Sequence, residues 1–238
     1  MTSLELALDG SANIARTIAD IGSGIIGVTG PAGSGKSTVG AATAGTGTCG
    51  IYSADARFIG DSLERRALLS YKQGRSPSDY RDSANQFNWW DWEAIERDIT
   101  ALRAGSEVVI PSAYNRASGE KETNLVISPR PQLLFEGALL GPPQIIQKIK
   151  AIIFLCVPAD VRFERLLAKD SGRRSFNEIV ARFLITEYSE TIYYRQLFEW
   201  ARDKIIFVDG ETGRRCNPFE LPADLFIPLR MNVDSRHE

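Results

Sequence analysis

Short runs of β-branched and other apolar residues, separated by longer stretches with helical spacing, recur along this chain. The first is Ile25-Ile26-Gly27-Val28-Thr29, bounded by glycines, and it reads as a buried parallel strand. Similar runs at Cys49 to Ala54, Leu133 to Phe135, Ile152 to Val157 and Ile205 to Val208 predict further strands. Val108 to Pro111 is a third candidate in chain order, and Leu125 to Ser128 a fourth near the sheet edge. Between them, helical periodicity predicts one or two short helices over 3–20, interrupted at Gly10, a helix resuming at Lys36, and an amphipathic helix from Trp92 to Arg103. Apolar strands alternating with helices imply a mainly parallel sheet covered on both faces, a three-layer α/β fold.

Length and composition keep that picture within one domain, residues 1–238. Its expected parts are an N-terminal helical segment to about residue 22, a mainly helical cap over 57–105 with the loop GRSPSD inside it, and a region around 165–195 able to close over a ligand. A mobile tail over 231–238 completes the expectation. With 43% hydrophobic and 24% charged residues, the chain is globular. Its formal charge of −2 offers no general attraction to nucleic acid or to an anionic membrane. The first twenty residues carry Glu5, Asp9 and Asp20 and read as neither a secretion signal nor a membrane span. Cys49, Cys156 and Cys216 are odd in number and widely spaced, which points to a reducing compartment, by default the cytoplasm. Since His237 is the sole histidine, acid–base chemistry falls to carboxylates, lysines or tyrosines.

One segment carries most of the chemistry. Gly30-Pro31-Ala32-Gly33-Ser34-Gly35-Lys36-Ser37-Thr38 satisfies G-x-x-x-x-G-K-[ST], with a strand before it and a helix after it. Glycines 30, 33 and 35 let backbone N–H groups turn around an anion, the helix start adds partial positive charge, and Lys36 adds a full one. Ser37 is placed to ligate magnesium. The pattern predicts binding of a nucleoside triphosphate, taken as ATP with Mg2+, but a kinase, an ATPase or a regulatory switch would all use it.

The carboxylates narrow that choice. Asp55 closes the second strand at the sheet's carboxyl edge, where it serves either as the base for an acceptor hydroxyl or as a cap of the next helix. Leu133-Leu134-Phe135-Glu136-Gly137 has the layout of a Walker B element, whose acid holds magnesium or its water beside Ser37. Over 161–174, Arg165 and Lys169 share a helix face and Arg173 and Arg174 follow a glycine. They read either as cations closing over phosphates or as a solvated basic helix. Arg57, Arg65, Arg66, Arg75 and Arg81 crowd the acceptor side, either for an anionic acceptor or as surface charge. Trp89, Trp90 and Trp92 form a core or a stacking platform.

Together GPAGSGKST, YSADARF, LLFEG and VRFERLLAKDSGRR make the chain resemble the uridine kinase and phosphoribulokinase family of P-loop small-molecule kinases, from about Ile25 to Asp209. A fainter likeness covers SANQFNWWDWEAIERDITALRAG and VVIPSAYN. The resemblance implies a P-loop kinase fold and transfer of the γ-phosphoryl group to a hydroxyl of a small metabolite. Asp55 would be the base, Lys36 and Ser37 the ATP and magnesium residues, and Lys169, Arg173 and Arg174 the lid cations. Arg57, Phe58, Asn85, Tyr114 and Lys169 would join Asp55 around the acceptor. Asn85 stands where uridine kinases carry a ribose-binding Asp, and residues 115–123 lack the base-reading histidine, so an acceptor other than uridine or cytidine is expected. A nucleoside monophosphate kinase and a nucleotide-binding regulatory ATPase are the alternatives. The absence of an N-K-x-D string disfavours a GTPase switch. The expected partner is a small-molecule acceptor, with neither nucleic acid nor membrane, and homo-oligomerisation is left open.

Overall fold

The computed structural model describes residues 3–61, 63–64, 85–115, 118–121 and 124–217, and of residues 3–9 the backbone alone. Five parallel strands form the central sheet: β1 (Gly24–Thr29), β2 (Cys49–Ser53), β5 (Gln132–Glu136), β6 (Ala151–Cys156) and β7 (Ile205–Asp209), in the order β2-β5-β1-β6-β7. The period-two alternation of the strands assigns each side chain to a face. Ile26, Val28, Leu134, Ile153, Leu155 and Val208 pack with Ile14 and Ile18 of helix α1 (Ser3–Ile21) and Val39 of α2 (Lys36–Ala44). Ile25, Tyr52, Leu133, Phe135, Ile152 and Phe154 point the other way, toward α3 (Trp92–Arg103), α4 (Pro143–Lys148) and the long α6 (Phe176–Trp200). The sheet therefore has a helical layer on each face, and α5 (Ala159–Asp170) leads from β6 to α6. The three-layer, mainly parallel α/β fold expected from the pattern is the one observed.

Two expectations change. Gly10 does not interrupt α1, which is one continuous helix. A Cβ at Gly10 would stand 2.0 Å from the Glu211 carbonyl oxygen, so the glycine admits the turn after β7 against the helix. Asn13 reinforces the contact by donating from Nδ2 to the Thr212 carbonyl at 3.0 Å. The second change concerns β3 (Val108–Ile110) and β4 (Leu125–Ile127), which pair antiparallel as a separate two-stranded sheet rather than extending the main one. In β3 the exposed Val109 lies between buried Val108 and Ile110, the alternation of a strand with one wet face, while in β4 both Leu125 and Val126 are exposed and Ile127 is buried. Second-strand boundaries also tighten, because Ala54 and Asp55 belong to a 3-10 turn, Ala54–Arg57.

All five parallel strands end on one edge of the sheet, where ligands of open α/β folds bind. The glycine-rich loop leaves the central strand β1, the turn bearing Asp55 leaves the edge strand β2, and Glu136 ends β5 between them. Among the described residues no helix is long and apolar enough to cross a membrane. The loop GRSPSD, Arg65, Arg66, Arg75, Arg81 and the tail 231–238 lie outside the described residues.

Candidate active site

The loop after β1 adopts the backbone its glycines allow. Gly33 and Gly35 have φ of +85° and +96°, left-handed values that an L side chain resists. At Gly33 a Cβ would also meet the Arg162 carbonyl oxygen at 2.6 Å, so α5 can close tightly on the loop. Helix α2 begins at Lys36, whose buried ammonium donates to the carbonyls of Gly30 at 2.6 Å and Pro31 at 3.1 Å. Gly30, Ala32, Gly33, Ser34 and Gly35 thus surround the start of α2, with Ser37 and Thr38 exposed on its first turn. The Ser34 hydroxyl is fully buried and has no hydrogen-bond partner among the described residues.

The loop is braced from the far side of the sequence. Arg162, with its side chain entirely buried, donates from Nε to the Val157 carbonyl at 2.9 Å and from Nη1 to the Ala32 carbonyl at 3.3 Å. Its guanidinium also pairs with both carboxylate oxygens of Glu187 on α6, one of them at 2.9 Å. One turn further along α6, Glu190 accepts a hydrogen bond from the Ala32 backbone N–H at 2.8 Å. Burial pushes the Glu190 carboxyl up to about 7, although Lys36 and the Ala32 N–H pull it the other way. Tyr193 and Tyr194, on the same helix, hold the segment after β5 through the Gly141 and Ala138 carbonyls at 3.0 and 2.7 Å.

One cavity joins these parts. Ala32, Lys36 and Glu190 line its loop side, and Lys169, Asp170, Arg173 and Arg174 line it from the end of α5. Arg182 and Thr186 enter from α6, and Asp55, Phe58, Gln86, Trp89, Trp90 and Tyr114 form the opposite wall. Asp55, in the 3-10 turn after β2, is 9% exposed. Arg173 and Arg174 both bind Asp170, at 3.3 and 2.7 Å, across the turn between α5 and α6. A capping box then starts α6, with the Ser175 hydroxyl accepting from Glu178 N and the Glu178 carboxylate accepting from Ser175 N at 2.8 Å.

Several expected residues lie elsewhere. Arg57 does not line the cavity. It binds Asp98 of α3 through two bonds of 2.8 Å, and the Tyr52 hydroxyl donates to the same carboxylate at 2.7 Å. Burial, and then the Asp98 charge, push the Tyr52 hydroxyl far above its ordinary range, so it stays neutral. Asn85 is exposed outside the cavity and caps the 3-10 turn Gln86–Trp89 by accepting from Phe87 N at 3.1 Å. Arg165 is tied to the Gly33 carbonyl at 3.4 Å and to Glu211 at 3.2 Å, and so anchors α5 to the loop. Trp89 and Trp90 are core and cavity wall at once.

Glu136 reaches toward α2, the helix that carries Ser37 on its first turn. A Cβ on Gly40, three residues past Ser37 on α2, would stand 3.4 Å from the Glu136 Oε2. A hydroxyl and a carboxylate are oxygen donors of the kind magnesium takes, and it needs only one or two from the protein when nucleotide supplies others. Among the described residues no group of three or more His, Cys, Asp or Glu side chains could hold an ion alone.

The curated uridine kinase of Shewanella piezotolerans (strain WP3 / JCM 13877) is 23% identical over 152 residues, which cover 62% of this chain and 64% of that protein's length. Two solved structures share the fold. A candidate fructose transport system kinase from Silicibacter sp. TM1040 superposes with a TM-score of 0.54 at 20% identity, over 77% of this chain and 94% of its own. YFH7 from Saccharomyces cerevisiae, a candidate P-loop kinase with a circular permutation, does so with 0.53 at 10% identity, over 88% and 99%. The model of the phosphoribulokinase / uridine kinase family matches residues 25–189, from the strand before the phosphate loop to the middle of α6. With the loop, the acid after β2 and the basic turn after α5 all inside that span, the chain belongs to the phosphoribulokinase / uridine kinase family of P-loop kinases.

Proposed function

We propose that this chain transfers the γ-phosphoryl group of ATP, with magnesium, to a hydroxyl group of a small metabolite. What carries the reading is that Lys36 of the phosphate loop and Asp55 of the turn after β2 line the same cavity. One group suits a triphosphate and the other suits the hydroxyl that attacks it. The acceptor oxygen bonds to the γ-phosphorus as the bridge to the β-phosphate breaks, its proton passes to Asp55, and ADP leaves with the bridging oxygen.

The chain's own groups divide that work. Lys36 and the backbone N–H groups of residues 32–38 cradle the phosphates, and Ser37 and Glu136 would hold magnesium. Lys169, Arg173 and Arg174 face the cavity from α5 and the turn beyond it, where they offset the charge spread over the transferred group. When bound, magnesium would supply further neutralisation of the phosphate charge.

The test is Asp55→Asn. Acceptor-dependent ADP release, screened over nucleosides, nucleotides, sugars, sugar phosphates and hydroxy acids, should fall about 10²- to 10⁴-fold while ATP affinity stays within about threefold. Turnover near that of the parent protein would remove Asp55 from the role of base.

A further inference from the structure

A single buried carboxylate fastens the turn that carries Asp55 to its neighbouring helix. Asp98, about two turns into α3 and 7% exposed, accepts from the Tyr52 hydroxyl at 2.7 Å and from Arg57 Nε and Nη2 at 2.8 Å each. Tyr52 stands before Asp55 on β2 and Arg57 after it in the 3-10 turn, so the two side chains bracket Asp55 and meet on the same acid. Backbone bonds add further ties. Asp91 N, where α3 begins, donates to the Arg57 carbonyl at 3.0 Å, and Tyr114 N donates to the Ala56 carbonyl at 3.2 Å. Phe58 N closes the turn on the Asp55 carbonyl at 3.1 Å.

Folding energy is not the main thing such a cluster supplies. Desolvating two charges offsets most of their attraction, and apolar side chains of similar volume would hold α3 against β2 as well. What they would lack is direction. A guanidinium in bidentate geometry on a carboxylate is fixed in plane and angle, and Tyr52 is fully buried with its ring edge-on to Phe135 at 5.7 Å between centroids. Three directional bonds on one acid therefore fix where the turn sits between β2 and α3. That precision matters at Asp55, which lines the cavity with Lys36, because a misplacement of about 1 Å can cost a reaction about 10²-fold.

We propose that Tyr52, Arg57 and Asp98 are positioning residues, a clamp that holds the turn after β2 so that Asp55 is presented to the cavity. They act through Asp55 rather than on a ligand. The proposal rests on the kinase reading in that Asp55 takes the acceptor proton.

The experiment uses the full chain and two variants. Tyr52→Phe removes one bond and keeps the ring. A triple variant, with Tyr52→Phe, Arg57→Met and Asp98→Leu together, makes the whole cluster apolar and leaves no buried charge unpaired. It should melt within about 5 °C of the parent protein. In it the backbone amides of Phe58, Asp91 and Tyr114 should exchange with deuterium at least about tenfold faster, while those of β1 and β6 keep their protection. Acceptor-dependent ADP release, over the same acceptor panel, should fall about threefold to tenfold in Tyr52→Phe and about 10- to 100-fold in the triple variant, with the KM for ATP within about threefold. Adding Asp55→Asn to the triple variant should lower turnover little beyond Asp55→Asn alone, the mark of residues that act through Asp55. A merely structural cluster would recover turnover along with the melting temperature. If the triple variant melts lower than expected, Tyr52→Phe decides by the same comparisons. The proposal fails if the turn amides keep their protection, if turnover stays within about twofold of the parent, or if the losses from the cluster and from Asp55 multiply. Faster exchange at the turn, in a protein that releases ADP with no acceptor, would leave the clamp standing and refute the kinase reading.

Discussion

Replacing Glu190 with glutamine removes a carboxylate from the place where the phosphate loop must receive an anion. Its Oε2 takes the Ala32 N–H at 2.8 Å, one of the loop amides that a bound phosphate would use. At about 5 Å and an effective dielectric near 20, an ionised Glu190 and a phosphate oxygen repel by about 3 kcal/mol. Nucleotide binding therefore favours the protonated acid. Burial raises this carboxyl to about 7 against the opposing pull of Lys36, the Ala32 N–H and Arg162, with Glu187 raising it further, and Tyr194 feels its charge from the same helix. At pH 6 most of the protein already carries the proton, and at pH 8 only about a tenth does.

The expected outcome is a ratio that changes with pH. Glu190→Gln should bind a fluorescent ADP analogue about as tightly as the wild type at pH 6 and about tenfold more tightly at pH 8. Ionisation of the terminal phosphate near pH 6 affects both proteins alike and cancels in the ratio. Stability moves the opposite way from that of an ordinary paired carboxylate. The folded state holds a proton that the unfolded state releases near 4.5, so wild-type stability falls as pH rises from about 4.5 to about 7 and is flat above that, by about 3 kcal/mol in all. The glutamine variant lacks this slope. An affinity ratio independent of pH, or weaker binding by Glu190→Gln at pH 8, would refute the account.

Two other perturbations separate structure from recognition. Arg162→Met leaves Glu187 buried without its partner and should destabilise the fold by about 3–5 kcal/mol in urea denaturation. Adding Glu187→Leu should recover most of that loss. Asn85→Ala removes a cap from an exposed turn, so it should cost about 1 kcal/mol or less and leave the acceptor KM unchanged. A rise in that KM of more than about tenfold would return Asn85 to the site.

The parts of the molecule legible in the sequence are those whose determinants are contiguous. Residues 30–38 carry their glycines, lysine and hydroxyls in one stretch, and the strand before and helix after them follow from local pattern. Where the partner is distant, the local signal misleads. Gly10 looks like a helix breaker because the chain that packs on it arrives some two hundred residues later. Val108 to Ile110 is as β-branched as a buried strand, yet its middle side chain faces water, and only its pairing with β4 shows that. Trp89 and Trp90 sit in an aromatic run that reads first as core, and only the fold shows that they also line the cavity. Glu190 meets Ala32 from 158 positions away, and nothing in TEYSE marks the second acid as a neighbour of the phosphate loop.

The arginines show why the acceptor half of the site resisted a reading from residue type. A guanidinium beside a motif is available to a ligand only if the fold has not already given it a carboxylate in bidentate geometry. Arg57 follows Asp55 by two residues and would serve an anionic acceptor well, but Asp98, supplied by α3, takes its Nε and Nη2 donors in a bidentate pair. Arg162 is held in the same way by Glu187 and is spent on positioning Ala32 rather than on substrate. Arg173 and Arg174 share the single carboxylate of Asp170, so one acid is divided between two cations at the cavity wall. Among the described residues, the lysines and arginines that line the cavity come from α2, from α5 with the turn after it, and from α6. Which arginines stay open to a ligand is decided by which acids fold against them, and Asp98, Glu187 and Asp170 come from parts of the chain that residue type alone does not connect to the site.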